Sequence, residues 1–442
     1  MKEKIRIGCG AGFSGDRIEP AVILADQGDL DYLVLECLAE RTIALAQKRK
    51  LEDANKGYDP LLEKRIRALI PHLLRKNIRL ITNMGAANPI AAAKKIIDIA
   101  AGQNMHIKVA AITGDDLLAT IQQKASTTKD LENGKWLSEY DIVSANAYMG
   151  ATPIVEALQT SAQIIITGRV ADPSLFLAPM IFEFKWDEND FDLLGKGTVI
   201  GHLLECAGQV TGGYFADGIH KKAEDLDKLG HPFADVFADG RAIISKVEGT
   251  GGVIDLQTTK EQLLYEVMNP REYFTPDVVA DFTSVHLKQI DKDQVYVSGG
   301  SGKAKPRTYK VSIGYKAFYL GEGEISYAGA AAYERAQLAA DILQKRLADS
   351  FNELRVDFIG MQSKHQTTFK HEAKPYEVRL RIAAKASTPE QAALIGEEIE
   401  ALYTNGPAGG GGARKYVTEV IGIVSTLIDR SSISPQVNIF QS

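Results

Sequence analysis

Between Ile5 and about Ser174, short apolar runs alternate with longer stretches whose apolar residues recur every three or four positions. The runs at 5–8, 32–36, 79–82, 108–113, 142–145 and 164–168 have strand length, and segments such as 61–76 and 90–101 carry helical spacing. Strand, crossover helix and strand repeated in this way predict an α/β fold with a doubly wound, mostly parallel sheet. From about Phe182 to Tyr309 the pattern loses its regularity at glycine-rich corners, which predicts an α+β region completing a cleft. Beyond it come a strand pair around 311–326, a helix over 330–347, strands at 353–359 and 377–384, a helix over 389–403 and a last strand at 417–427. That order predicts a ferredoxin-like C-terminal unit. The expected domains are therefore 1–181, 182–310 and 311–442, the last carrying a glycine-rich loop at 404–414.

The residues just past each strand point to function. Glu36 and Arg41 come after the second, Asn83 to Pro89 after the third, Gly114-Asp115-Asp116 after the fourth, Asn146-Ala147-Tyr148 after the fifth and Arg169 to Ser174 after the sixth. In an open parallel sheet all these positions line the carboxyl edge, where such folds bind ligands. Turn and cap chemistry explains the Gly, Asn, Asp and Pro of any one loop. It does not call for Arg41, Tyr148 and Arg169 to recur there.

The first loop also contains Gly10, Gly12 and Gly15 in G-x-G-x-x-G spacing, with Glu36 at about the 20-residue distance of a ribose-binding acid. Read literally, these glycines with Arg17 bind NAD(P). However, Asp16 directly follows the third glycine and puts a carboxylate where a pyrophosphate would sit. A tight strand-to-helix turn explains the glycines equally well, so no cofactor is expected and NAD(P) stands as the alternative.

Composition narrows the partners. A net charge of -6 removes the long-range attraction that nucleic acid binding needs, and 45% hydrophobic with 24% charged residues describes an ordinary globular protein. No run approaches the length of a membrane span and no signal-peptide h-region opens the chain, so a cytoplasmic location is expected. The three cysteines have no metal spacing. His202 and Glu205 stand at i and i+3 on a predicted helix, where both can ligate one metal, but no third ligand accompanies them and no metal is expected.

The candidate chemistry is a set of carboxylate and arginine pairs. Arg169 and Arg17 are positioned to hold a small anion, Asp16, Asp172 or Glu36 to exchange a proton, and Asn83 and Asn146 to stabilise a developing oxyanion.

Five phrases together carry a resemblance: 10–17, 82–89, 167–173, the corner at 205–214, and 248–252. The chain resembles the acyclic terpene utilisation (AtuA-like) family over nearly its whole length. The resemblance implies a part in the degradation of branched acids such as those derived from citronellol and geraniol, handled as CoA thioesters. The expected activity is that of a lyase or hydratase acting on a branched carboxylate or its CoA thioester. The alternatives are an NAD(P)-dependent oxidoreductase and a non-catalytic binding or assembly subunit; the tail and its glycine run suit a homo-oligomer.

Overall fold

The computed structural model describes residues 2–365 and 375–442. Six strands open the chain: β1 (Lys4–Ala11), β2 (Tyr32–Leu35), β3 (Arg79–Thr82), β4 (Lys108–Thr113), β5 (Asp141–Ala147) and β6 (Ile164–Thr167). Five of them, in the order β1-β2-β3-β6-β4, pair in parallel. Their side chains alternate between two cores: Tyr32, Val34, Ile81 and Ile165 face one, and Leu33, Leu35, Leu80 and Ile166 the other. Strands buried on both faces read as continuous apolar runs, which is why the sequence pattern finds them.

The connecting helices are α1 (Glu19–Gln27), α2 (Glu40–Glu52), α3 (Leu62–Lys76), α4 (Pro89–Gly102), α5 (Leu118–Lys124), α6 (Thr152–Gln159), α7 (Ser174–Phe184) and α8 (Phe191–Glu205). Helices α1, α3 and α4 cover one face of the sheet, and α6, α7 and α8 cover the other. α9 (Leu256–Leu264) lies beside α8.

Later strands extend this sheet on both sides. β7 (Pro232–Phe237) pairs antiparallel with β1, and β8 (Ala242–Lys246) with β7. β9 (Tyr273–Phe274) and β10 (Val279–Asp281) leave the sheet, whereas β11 (His286–Asp291) and β12 (Gln294–Ser298) finish its edge. β13 (Ser301–Lys303) joins β9 and β10 in a small three-stranded sheet.

The expected fifth parallel strand is not in this sheet. β5 pairs instead with β14 (Thr308–Ala328), Tyr148 N–H donating to Lys310 O at 2.9 Å. The place beside β4 is taken by a strand from the end of the chain. Apolar pattern marks a strand but does not name its neighbour.

Met1–Gly314 with Ile423–Ser442 form one compact unit and Tyr315–Gly422 a second. Residues 182–310, expected as a separate region, belong to the first unit together with 1–181. The second contains the remainder of β14, then α10 (Ala332–Leu347), β15 (Arg355–Ile359), β16 (Glu377–Ala386), α11 (Pro389–Asn405) and the start of β17 (Gly411–Asp429). Its strand order is β15-β16-β14-β17, and both helices pack on one core with the strands. The strand pair expected near 311–326 is one strand of 21 residues. Gly321, within this strand, admits α11, because a Cβ there would stand 2.2 Å from Ala392 O. β18 (Gln436–Gln441) returns to the first unit and pairs antiparallel with β4.

Candidate active site

At the end of β1 the glycine-rich loop folds around its own carboxylate. Asp16 accepts from the N–H groups of Gly12 (2.8 Å) and Phe13 (3.1 Å). Buried Arg65 of α3 fastens the loop from below, donating to Ser14 O at 3.0 Å and Asp16 O at 2.8 Å. The donors a pyrophosphate would use are thus bound to Asp16. Gly10 lets α1 approach, since a Cβ there would stand 2.8 Å from that of Ala21, and the Cβ position of Gly15 faces the Phe13 ring. Arg17 turns outward to the carbonyls of Leu226 and Asp227. The loop's glycines and Arg17 are therefore accounted for by packing and loop closure, and the Asp16 carboxylate is engaged by its own loop.

Behind β2 and β3, Glu36 is fixed by two donors on its Oε1, Leu38 N–H (2.9 Å) and Asn83 Nδ2 (2.8 Å). Asn83 Oδ1 in turn accepts from Cys37 N–H at 2.8 Å. Asn146 is likewise engaged: it donates to Asp115 Oδ2 at 2.9 Å, and the same oxygen takes Arg169 N–H at 2.9 Å. Both asparagines brace the rim, and their amides are committed to neighbouring loops rather than turned to a ligand.

Asp115 is the hidden post of this bracing. Burial pushes its carboxyl up to about 6, although the bonds from Arg169 N–H and Asn146 pull the other way. A carboxyl raised on folding contributes its full stability below the unfolded value near 4 and loses it as pH rises through the folded one. Asp115→Asn keeps an acceptor oxygen for both donors and removes the titration. Wild type should therefore lose about 3 kcal/mol relative to the variant between about pH 4 and pH 6, read from paired denaturant melts across that range.

Arg169 is the centre of the site. Its guanidinium donates to Leu38 O, meets Asp172 Oδ1 at 3.2 Å and lies 4.1 Å over the Tyr148 ring. Tyr148 donates its hydroxyl to Glu40 Oε1, and Lys310 Nζ lies 3.6 Å from the same oxygen. At the end of α8, Glu205 Oε1 lies 2.8 Å from His202 Nδ1. The loops after β2 and β6 and the end of α8 thus bring three carboxyls, Glu36, Asp172 and Glu205, within electrostatic reach of one arginine.

Burial lifts all three carboxyls above the ordinary carboxylate range; Arg169 pulls each back, behind His202 in the case of Glu205, while Glu205 adds to the rise of Glu36, Glu36 and Glu205 to that of Asp172, and Glu266 to that of Glu205. Glu40 differs. Burial works against its charge, but Arg169, the Tyr148 hydroxyl and Lys310 hold it below the ordinary range. Arg169 itself is held charged by Asp172 and its other acidic neighbours despite its burial. Carboxyls in excess of cations in a dry setting favour protonation of part of the set, the condition for general acid–base chemistry.

Over this cluster opens a cavity of about 490 Å³. Tyr148, Tyr273, Phe274, Pro276, Pro306 and Tyr309 form its apolar walls, with Asp172 and Lys310 as its charged groups. Asp172 Oδ1 is sealed beside Arg169 while the side chain as a whole is 34% exposed, so the accessible oxygen is Oδ2. Lys310, Tyr309 and Tyr273 have no signal in the sequence beyond their residue type. They reach the cavity through pairing with β5 and through the small sheet, from positions more than a hundred residues away.

Two larger hollows are polar and internally paired. One of about 860 Å³ surrounds Gly249 to Gly252, where Lys246 donates to Thr250 O and meets Asp293 at 3.2 Å. One of about 640 Å³ in the second unit is lined by Arg381, which is bound to Glu322 and Asp357. Among the described residues, no group of three or more His, Cys, Asp or Glu is arranged to hold a metal ion, and no helix is long and apolar enough to cross a membrane.

Comparison with known proteins gives one match. Residues 5–439 of the 442 match the family model described as "Acyclic terpene utilisation family protein AtuA". No curated protein and no solved structure matches the chain. With one model spanning almost every residue, including all the loops that build the rim, the chain belongs to the acyclic terpene utilisation family AtuA.

Proposed function

We propose that this protein is an acid–base enzyme of acyclic terpene utilisation that moves a proton at the carbon next to the carbonyl of a branched acyl thioester, in lyase or hydratase chemistry. The observation that carries the reading is Asp172: one oxygen is held against Arg169, and the other opens into an apolar cavity. A carboxyl pushed upward by burial and facing an apolar guest is suited to exchange a proton with carbon. The cavity volume lies within the range of small-ligand sites, and its rigid tyrosine and proline walls favour a hydrocarbon chain.

The charge balance favours a thioester over a free acid. Glu36, Glu40, Asp172 and Glu205 surround the buried Arg169, and a further carboxylate brought among them would be repelled. A thioester carbonyl is neutral and acidifies the adjacent C–H.

The test is solvent exchange. Isovaleryl-CoA incubated with the protein in heavy water should gain deuterium next to its carbonyl, read by mass spectrometry, while free isovalerate should not. Failure of isovaleryl-CoA and of longer branched acyl-CoAs alike to gain deuterium would overturn the reading.

A further inference from the structure

The geometry points to Arg430 as the positioning residue that fixes the cavity wall on which the acyl chain lies, and so decides how tightly a branched hydrocarbon is held. The inference rests on the reading of this cavity as the acyl site and deepens it by naming what shapes the hydrocarbon end; it does not depend on the proton step.

Arg430 comes just past β17, 121 residues along the chain from Tyr309 of the wall it braces. Its backbone is fixed on two sides. Asp429 caps the short turn Arg430–Ser432 by accepting from Ser431 N–H at 2.9 Å, and Arg430 N–H donates to Arg307 O at 3.3 Å. The guanidinium then reaches two separate wall segments at once. Nη1 donates to Pro276 O at 2.9 Å and to Pro306 O at 3.4 Å, and Nη2 donates to the Tyr309 hydroxyl at 2.8 Å. Its central carbon lies 4.1 Å from the centre of the Tyr309 ring. Pro276, Pro306 and Tyr309 all line the cavity, as does Leu427, three residues before Arg430.

These partners explain why the residue is an arginine. The two prolines have no N–H, so their carbonyls are the backbone groups a neighbour can bind. A guanidinium offers five donors in a rigid plane and bonds both carbonyls and the phenol while stacking on the ring; an ammonium is a point charge that does not. On its far side the Pro276 loop is held by Asp277, which accepts from Ala151 N–H at 2.8 Å and from the Ser174 hydroxyl. Ser174 starts α7, directly after Asp172 and Pro173. The wall is thus clamped between the tail of the chain and the loop that carries Asp172, and removing Arg430 frees its outer side alone.

A wall already held in place loses no freedom when its guest arrives, which is how a brace outside the contact surface raises affinity. The wall is apolar, so the gain belongs to the hydrocarbon. Its signature is the ratio of the Kd of free CoA to that of isovaleryl-CoA.

The experiment measures both constants on the intact chain by titration calorimetry, alongside deuterium exchange into isovaleryl-CoA. Wild type should bind isovaleryl-CoA more tightly than CoA, and in Arg430→Met that advantage should shrink about tenfold, the scale of one ill-fitting methylene in an apolar pocket. Arg430→Lys, which keeps the charge and loses the planar fork, should shrink it as well; full retention there would overturn the positioning role. An unchanged advantage in a folded Arg430→Met protein, or equal weakening of CoA and isovaleryl-CoA, would also overturn the inference. If wild type shows the advantage without deuterium exchange, the proton-transfer reading falls and the inference stands on the binding result. If wild type shows no advantage, the cavity is not the acyl site and both fall. Should neither Arg430 variant fold, Tyr309→Phe keeps the ring in the wall, removes only the acceptor hydroxyl and should give a smaller shift of the same sign; no shift there would overturn the inference.

Discussion

Asp172→Asn should slow deuterium exchange into isovaleryl-CoA by about a hundredfold to ten-thousandfold, the span typical of removing a general acid or base, and leave the fold intact. Asparagine has nearly the same shape and keeps an oxygen toward Arg169, so the 3.2 Å contact passes from an ion pair to an amide oxygen beside the guanidinium while the exchangeable proton is lost. The side chain that changes is also one whose ionised form is opposed by burial and by Glu36, Glu205 and Glu40. Removing that charge relieves repulsion, and the melting temperature should equal or exceed that of wild type. A structural role predicts the opposite pair of results: loss of stability with activity following it down. Exchange at the wild-type rate in a well-folded Asp172→Asn protein would take Asp172 out of the mechanism.

The frame of this site is legible in the sequence for a definite reason. Parallel strands covered on both faces must be apolar at every position, so β1, β2, β3, β4 and β6 stand out as runs, and the residues just after them line one edge. Glu36, Asn83, Arg169 and Asp172 are picked out that way, whereas Asn146 lies within β5, outside that sheet. Their roles are not legible, because a role depends on partners. Asn83 and Asn146 have the donor groups of an oxyanion hole, but Glu36 and Asp115 take those donors. Asp16 reads as an acid beside a ligand and proves to be the clasp of its own loop. β5 reads as a strand of the parallel sheet but pairs instead with β14, which brings Lys310 and Tyr309, invisible in the local pattern. Glu205 and His202 stand out at helical spacing, and the structure uses that spacing for a buried hydrogen bond between them.

Arg169 shows the same limit most sharply and carries the largest expected effect on stability. An arginine after a strand at the ligand edge reads as the hand that grips an anionic substrate. Its side chain is 3% exposed, one nitrogen donates to Leu38 O, another meets Asp172, and the plane rests on Tyr148. It holds the protein's own carboxyls in place. Arg169→Met, close in volume and uncharged, should therefore destabilise the chain by about 3–5 kcal/mol, the cost of leaving buried carboxylates without their counter-charge. Adding Glu36→Gln should return part of that loss, because Glu36 is a buried acid that relies on Arg169 for compensation, and its amide can still accept from Leu38 N–H. Urea melts of the two single variants and the double, arranged as a cycle, measure the coupling directly. Adjacent charges of this kind give about 0.5–3 kcal/mol of non-additivity. Losses that simply add, or an Arg169→Met protein as stable as wild type, would mean that the arginine is not the counter-charge, and its place as a substrate anchor would have to be reopened.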